Sequence, residues 1–208
     1  MKIKVCGNTD LQQLKELNNA GVDYAGLIFY EYSGRYVLKN LAGSDVRGLN
    51  LSIEKVGVFV NASEDFILQQ AEDFSLDIIQ LHGDETASFC SKISDHMKVI
   101  KAFRVEDETN IDWLVKEYVD ACDFYMFDKG STGLYGGTGQ KFNWQLLQSS
   151  TIGKPFFLSG GIAPGDVEVL KNFTHPYFYG VDINSRFEIK PGIKDIKLVK
   201  QFVSDLKK

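Results

Sequence analysis

The stretch KVGVFVNASEDFILQQAE, residues 55–72, contains one strand followed directly by one helix. After Lys55, the next five residues are apolar and rich in valine, which is typical of a buried strand. Ser63 is a good N-cap, acidic residues follow in the first turn, and Ile67, Leu68 and Ala71 recur at helical spacing. A strand followed by an amphipathic helix is the unit from which parallel sheets are built.

The same unit repeats along the whole chain. Strands are predicted at 1–5, 23–29, 55–60, 78–81, 98–103, 124–127, 155–158 and 180–183. Helices are predicted from residue 10 and at 39–50, 63–72, 85–93, 111–118, 143–148, 164–173 and 194–207. Eight such units close into a barrel, so the sequence predicts an α/β fold, a (βα)8 TIM barrel in which residues 1–208 form a single domain. A doubly wound open sheet is the alternative, but no GxGxxG motif follows the first strand.

Composition limits the classes of function. The net charge is −5 at pH 7, and the signs are interspersed, so the basic surface that nucleic acid or a membrane requires is missing. We expect a small soluble ligand, with no nucleic acid and no membrane as partner. Cys6, Cys90 and Cys122 form no CxxC pair and no signal peptide precedes them, which predicts a reducing, cytoplasmic location.

In a barrel of this kind, the residues at the carboxyl ends of the strands surround the active site. The candidates at or just past these ends are Cys6, Arg35, Gln80, His82, Arg104, Asp128, Ser159 and Ser185. Cys6 follows the first strand and precedes a helix that Asn8 or Thr9 can cap. The helix dipole is expected to lower the pKa of the Cys6 thiol and favour the thiolate. The alternative for Cys6 is a small buried side chain that only fills a strand end.

The clearest binding motif is the segment 158–164, in which a strand runs through Gly160 and Gly161 into a helix. Backbone N–H groups exposed by glycines, with a helix N-terminus behind them, bind anions, and loops after strands seven and eight are the usual phosphate site. The neighbouring strand end, 181–185, contains Asp182 and Ser185 and completes the predicted phosphate site. A tight turn without a ligand is the alternative.

Three further residues have side chains suited to chemistry. Asp128 ends an apolar strand, where burial favours the protonated carboxyl group that a general acid needs, and a long glycine-rich segment follows it. Arg35 has the planar fork that binds a carboxylate. His82 is either a proton carrier or a residue that fixes its turn beside Gly83. The spacing of the histidines predicts no metal site.

Nine segments in this order resemble the phosphoribosylanthranilate isomerase family of tryptophan biosynthesis. The segments are Lys4-Val5-Cys6-Gly7, Ser33-Gly34-Arg35-Tyr36-Val37, Val56-Gly57-Val58-Phe59-Val60-Asn61, Gln80-Leu81-His82-Gly83-Asp84-Glu85, Ile100-Lys101-Ala102-Phe103-Arg104-Val105, Asp128, Gly136-Gly137-Thr138-Gly139, Ser159-Gly160-Gly161 and Pro191-Gly192-Ile193-Lys194-Asp195. The resemblance implies a ribulose-phosphate-binding barrel that performs an Amadori rearrangement of N-(5-phosphoribosyl)anthranilate without cofactor or metal. The partner is then a phosphorylated small molecule, and the chain is a monomer or homodimer.

The resemblance also implies a role for each matching residue. Asp128 is the general acid that opens the ribose ring, and Cys6 is the general base that removes the C2 proton. Arg35 binds the substrate carboxylate. The phosphate is bound by Gly160, Gly161, Asp182 and Ser185, and the pocket is lined by Gln80, His82 and Gly137.

Among the departures of the chain from the family pattern, two bear on the substrate-binding residues. Gly34 stands where a proline is usual, which loosens the loop that aims Arg35. Arg186 stands where a glycine is common, which removes an expected backbone contact and offers a direct contact to phosphate. Two alternative functions stay open. One is the related sugar-phosphate isomerase of histidine biosynthesis, and the other is a barrel that binds a phosphorylated ligand without catalysis.

Overall fold

The computed structural model describes residues 1–129 and 141–208. Eight parallel strands close into a barrel in sequence order, and β1 pairs with β8 to complete it. The strands are β1 Lys2–Val5, β2 Tyr24–Ile28, β3 Glu54–Phe59, β4 Ile78–Leu81, β5 Lys98–Val105, β6 Phe124–Lys129, β7 Phe156–Leu158 and β8 Phe178–Ile183. The prediction of a (βα)8 barrel is confirmed.

A helix follows each strand. The helices are α1 Leu11–Asn19, α2 Gly43–Arg47, α3 Glu64–Phe74, α4 Ala87–Ser94, α5 Ile111–Val115, α6 Gln145–Gln148, α7 Val167–Lys171 and α8 Ile196–Lys207. The helix predicted at 39–50 is the largest difference in extent. The chain forms a 3-10 turn at Val37–Lys39 and then the short helix α2, which ends at Arg47 with Gly48 as its C-cap.

The start of α1 differs from the prediction. Asp10 is the N-cap, and its carboxylate accepts a hydrogen bond from the Gln13 N–H at 2.8 Å. The Asn8 side chain instead donates to the carbonyl oxygens of Val5 and Gly26, at 2.7 and 3.1 Å. Asn8 therefore ties the end of β1 to β2, and the prediction that Asn8 or Thr9 caps the helix was wrong.

The sequence also gave no sign of a small antiparallel hairpin after β8. Its strands are β9, Glu188–Lys190, and β10, Ile193–Lys194, and they turn through Gly192 at a φ of +85°. The hairpin places Glu188 and Lys194 beside the carboxyl end of the barrel. These two side chains belong to the site described below.

The alternation of side chains along the strands separates two cores. In β1, Ile3 and Val5 pack against the surrounding helices, whereas Lys4 and Cys6 lie on the opposite face, toward the barrel interior. The lower interior is filled by Tyr24, Val56, Ile78, Ile100, Ala102, Met126 and Phe157. Polar side chains lie above this apolar plug, at the carboxyl ends of the strands. Among the described residues, no helix has the length and apolar character needed to span a membrane.

Candidate active site at the carboxyl end of the barrel

Most of the predicted site residues converge on the carboxyl end of the barrel. The buried side chains there belong to Cys6, Gln80, Asp128, Ser159 and Asp182. Their strands are fixed in register by the barrel, so residues far apart in sequence meet at one end. Gly137, predicted to line the pocket, and the glycine-rich segment after Asp128 lie outside the described residues, apart from Lys129.

Cys6 directly follows β1, and its backbone N–H donates to the carbonyl of Ile183 in β8 at 2.9 Å. The residue is 5% exposed. Burial raises the pKa of the Cys6 thiol, and the Lys4 ammonium is the largest influence that lowers it. The expectation of a thiol activated by the helix dipole is not met, because α1 begins at Leu11, five residues further along the chain. The positive charge near Cys6 comes from side chains.

Asp128 lies within β6, one residue before its end, and is 7% exposed. Its Oδ1 accepts a hydrogen bond from the Lys129 N–H at 2.8 Å, and its Oδ2 lies 3.3 Å from His82 Nε2. His82 Nδ1 contacts Gln80 Nε2 at 2.7 Å. With the Gln80 amide as donor, His82 Nδ1 is the acceptor. His82 Nε2 has no hydrogen-bond partner among the described residues, although it lies beside Asp128. Gln80 thus fixes the orientation of the His82 ring next to the carboxyl group.

Arg35 lies in the loop after β2, and its guanidinium is bound by Glu188 of the hairpin. Arg35 Nε donates to Glu188 Oε1 at 2.9 Å, and Nη2 donates to Oε2 at 2.6 Å. Glu188 Oε1 also accepts from Lys194 Nζ at 2.7 Å. Burial opposes these charges, but Arg35 and Lys194 outweigh it and hold the pKa of Glu188 below its usual range. Among the described residues, none accepts a hydrogen bond from Arg35 Nη1, so this nitrogen can meet a carboxylate.

Two glycines after β7 form the loop predicted to bind phosphate. Gly160 and Gly161 have φ angles of +82° and +67°, which favour glycine. A Cβ on Gly160 would lie 2.6 Å from the Lys129 backbone nitrogen and 2.9 Å from Asp128 Oδ1. This loop therefore packs directly against the strand end that carries the acid. Within 1–129 and 141–208, neither glycine N–H donates a hydrogen bond, so both can bind an anion.

Two features of the structure bear on the predicted phosphate site. Asp182 points into the barrel, where it accepts a hydrogen bond from Lys4 Nζ at 2.9 Å, and a carboxylate repels phosphate. The helix behind the loop is short, and Asp166 already accepts a hydrogen bond from the Ala163 N–H at 2.7 Å. The glycine loop is therefore the part of the predicted phosphate site that is best suited to an anion. Ser185 begins a 3-10 turn, Ser185–Phe187, just after β8.

The sequence reasoning missed three charged residues of the site: Lys4, Glu188 and Lys194. Lys4 and Lys194 are among the largest fully buried side chains of the chain. For Lys4 a signal existed, since a lysine two residues before Cys6 in a buried strand must share its face. Within the part of the chain that the structure describes, no cluster of three or more His, Cys, Asp or Glu residues is arranged to hold a metal ion.

A buried carboxyl group and a buried thiol lie at one barrel mouth, beside a glycine loop open to anions. This arrangement is typical of a (βα)8-barrel protein suited to acid–base chemistry on a phosphorylated ligand. Comparisons with known proteins agree with this class. Residues 3–205 match the family model described as N-(5'phosphoribosyl)anthranilate (PRA) isomerase. The chain belongs to this family.

Individual relatives match over the full chain. An N-(5'-phosphoribosyl)anthranilate isomerase of Phocaeicola vulgatus is 39% identical over 208 residues, which cover 100% of this chain and 98% of the relative. A crystal structure of phosphoribosyl anthranilate isomerase from Thermotoga maritima is 31% identical with a TM-score of 0.85, covering 100% and 98% of the two chains. Another crystal structure is that of a phosphoribosyl anthranilate isomerase in complex with reduced 1-(o-carboxyphenylamino)-1-deoxyribulose 5-phosphate. It is 29% identical with a TM-score of 0.81, covering 100% of this chain and 98% of the other.

Proposed function

We propose that this protein catalyses the Amadori rearrangement of N-(5'-phosphoribosyl)anthranilate to 1-(2-carboxyphenylamino)-1-deoxyribulose 5-phosphate, a step of tryptophan biosynthesis. The observation that carries the proposal is the presence of Asp128 and Cys6 at the same end of one barrel, beside the loop of Gly160 and Gly161. The reaction needs an acid, a base and a phosphate anchor, and these residues supply one group for each need.

Asp128 is the general acid of the first step. Its protonated carboxyl group donates a proton to the ring oxygen of the ribose, the C1–O bond breaks, and the nitrogen lone pair forms an iminium with C1. His82 Nε2, 3.3 Å from Asp128 Oδ2, stabilises the carboxylate that this step leaves behind. The Gln80 contact holds the His82 ring in place for this task.

Cys6 is the general base of the second step. The iminium makes the neighbouring C2–H bond acidic, so the Cys6 thiolate can remove this proton, and the electron pair moves to give an enolamine. Tautomerisation of the enolamine yields the ketose. Burial raises the pKa of Cys6, but cationic side chains around the sulfur counteract it, and the positive iminium favours the thiolate further.

The remaining residues bind the two ends of the substrate. The N–H groups of Gly160 and Gly161, together with Ser185, bind the phosphate, and Arg186 of the same 3-10 turn lies at this end too. Arg35 binds the anthranilate carboxylate, while its other edge stays on Glu188. The proposed partner is this phosphorylated small molecule, and the reaction uses no cofactor.

The test is consumption of freshly generated phosphoribosylanthranilate, followed by the loss of its fluorescence. Asp128→Asn and Cys6→Ala are each expected to lower kcat by at least about 10²-fold, the lower range for a positioned acid or base. Cys90→Ala is the matched control, because Cys90 is a buried cysteine of α4 that packs in the outer core. Near-normal turnover by either site variant would refute its role.

Two other outcomes point to the alternatives. Turnover of the related histidine-pathway aldose phosphate by the wild type would indicate a second substrate. Binding of phosphoribosylanthranilate without consumption would indicate a non-catalytic barrel, and neither Asp128 nor Cys6 would then have a chemical task.

A further inference from the structure

Lys4 and Cys6 share one face of β1. They are two residues apart, so both side chains lie toward the barrel interior, with Lys4 one layer below the thiol. Gly26 of β2 lies beside both. A Cβ at this position would lie 2.8 Å from Cys6 Sγ and 3.1 Å from Lys4 Nζ. The sulfur and the ammonium therefore both border the Cα of Gly26, and a glycine leaves room for them.

Lys4 is fully buried, and Asp182 of β8 is its carboxylate partner, with Lys4 Nζ 2.9 Å from Asp182 Oδ1. Burial favours the neutral form of each partner, so it lowers the pKa of Lys4 and raises that of Asp182. For Lys4 the contacts with Asp182 and Cys6 outweigh burial and raise its pKa above the usual lysine value. Lys4 and Asp182 therefore form an ionised pair, and the Lys4 ammonium also lies near the thiol.

Other charged groups face Cys6 from the neighbouring elements. Asp182 of β8 carries a negative charge, and Lys194 of β10 and Arg35 of the β2 loop carry positive charges. The two latter cations are both bound by Glu188, at 2.7 Å and 2.6 Å. Their charge is thus shared with a carboxylate of their own. Lys4 is the cation that lowers the pKa of Cys6 most.

We propose that Lys4 is a positioning residue that stabilises the Cys6 thiolate, and that Asp182 is the counterion that balances the Lys4 ammonium while the thiol is protonated and shares it with the thiolate. The proposal rests on the role of Cys6 as base in the proposed function. It gives a reason for an otherwise costly arrangement, since a buried ion pair is weak evidence for stability. It also explains why Asp182 lies in the barrel interior and not against the phosphate loop.

The test measures the ionisation of Cys6 without using turnover. The folded protein is treated with iodoacetamide between pH 6 and 10.5, and mass spectrometry quantifies alkylation of each cysteine. Lys4→Met removes the ammonium and is expected to shift the midpoint for Cys6 upward by at least about one pH unit, a tenfold loss of rate at pH 8. Asp182→Asn removes the negative charge and is expected to shift this midpoint downward.

The opposite shifts of the Cys6 midpoint in Lys4→Met and Asp182→Asn distinguish the proposal from a purely structural role of the Lys4–Asp182 pair. A change that merely loosened the barrel would expose Cys6 and move both variants in the same direction. The double variant Lys4→Met/Asp182→Asn keeps the net charge of the interior, and it is expected to have a midpoint above that of the wild type, because the cation is gone. If Lys4→Met does not fold, an upward shift of the Cys6 midpoint in Asp182→Asn would still overturn the proposal.

Lys101 of β5 offers a matched control. It is also a buried lysine, and its Nζ lies 2.8 Å from Glu85 Oε2. Lys101 faces Cys90, and burial raises the pKa of Cys90 to about 11 while Lys101 lowers it. Lys101→Met is therefore expected to leave the Cys6 midpoint within about 0.3 units and to slow only the alkylation of Cys90.

Failure of the proposal for Lys4 can be distinguished from failure of the proposed role of Cys6 as base. An unchanged Cys6 midpoint in Lys4→Met, or an upward shift in Asp182→Asn, would overturn the proposal while Cys6→Ala could still be inactive. Full turnover by Cys6→Ala would overturn the role of the base, whereas the shifts in midpoint would still establish the pairing of Lys4 with the thiol.

Discussion

Glu188→Gln should destabilise the protein strongly, because this carboxylate neutralises two cations at once. Its oxygens accept from Arg35 Nη2 at 2.6 Å, from Lys194 Nζ at 2.7 Å and from the Gly192 N–H at 3.0 Å. Glutamine keeps the shape and one acceptor but removes the charge. Both cations then remain in place without their counterion.

The solvent exposure of the three charged side chains determines how much unfolding free energy Glu188→Gln should lose. The side chains of Glu188 and Lys194 are 4% and 0% exposed, and that of Arg35 is 15% exposed. Removing one partner of a buried pair costs about 3–5 kcal/mol, and the partial access of Arg35 to water favours the lower end. We expect a loss of about 3 kcal/mol, which for a chain of this size lowers Tm by about 6–12 °C.

The assay is urea unfolding followed by circular dichroism, repeated between pH 7 and pH 3. Although burial alone would raise it, Arg35 and Lys194 hold the pKa of Glu188 below its ordinary value of 4.5. A carboxyl group with a lowered pKa in the folded state stabilises the fold above its unfolded pKa, and this contribution is lost as the pH falls through the folded pKa. The difference between wild type and Glu188→Gln should therefore be largest at neutral pH and shrink below about pH 4.5.

Lys92→Gln serves as the control for this experiment. Lys92 lies 4.0 Å from Glu64, its side chain is 64% exposed, and such surface pairs contribute about 0–1 kcal/mol. A loss below about 1 kcal/mol in Glu188→Gln, or a difference that does not depend on pH, would refute the reasoning from burial and charge.

Three further variants test the packing around the site. Gly26→Ala places a methyl group 2.8 Å from Cys6 Sγ, so we expect an overpacking loss of about 1–3 kcal/mol in urea unfolding and a lower kcat. Gly160→Ala combines a left-handed φ with a 2.6 Å approach to the Lys129 nitrogen, and steady-state kinetics should show KM raised by about tenfold, since a hydrogen bond to a charged group contributes roughly 1.5–3 kcal/mol. Lys101→Met leaves a carboxylate buried without its cation and should cost about 3 kcal/mol in thermal unfolding, with kcat changed less than about twofold.

The barrel could be predicted from the sequence because its signal is local and repeated. The strand β4 has the predicted bounds, and the Ser63 cap was also foreseen, since both depend on neighbouring residues. The hairpin of β9 and β10 was not foreseen. Its strands have three and two residues, too few for a periodic pattern, and their pairing depends on a turn at Gly192.

The sequence predicted several residues of the candidate site but not the ion pairs around them. Cys6 and Asp128 were found because the ends of strands meet at one mouth. Asp182 could not be found in this way, because it lies 176 residues beyond Cys6 and meets Lys4 only through the closure of the barrel. The sequence also allowed the expectation that Arg35 binds a carboxylate. It could not show that Glu188 already accepts hydrogen bonds from one edge of the Arg35 guanidinium, because this contact too depends on the closed fold.

The pairing of β1 with β8 has a consequence for how the chain acquires its fold. Ile183 accepts the hydrogen bond from the Cys6 N–H, so the environment of the thiol is completed by the last strand of the barrel to emerge from the ribosome. Until β8 is in place, β1 and β7 are edge strands, and their unpaired backbone N–H and C=O groups can form hydrogen bonds with other chains. Contacts between the two ends of a sequence also slow folding. A nascent chain lacking β8 would therefore be both inactive and prone to aggregate.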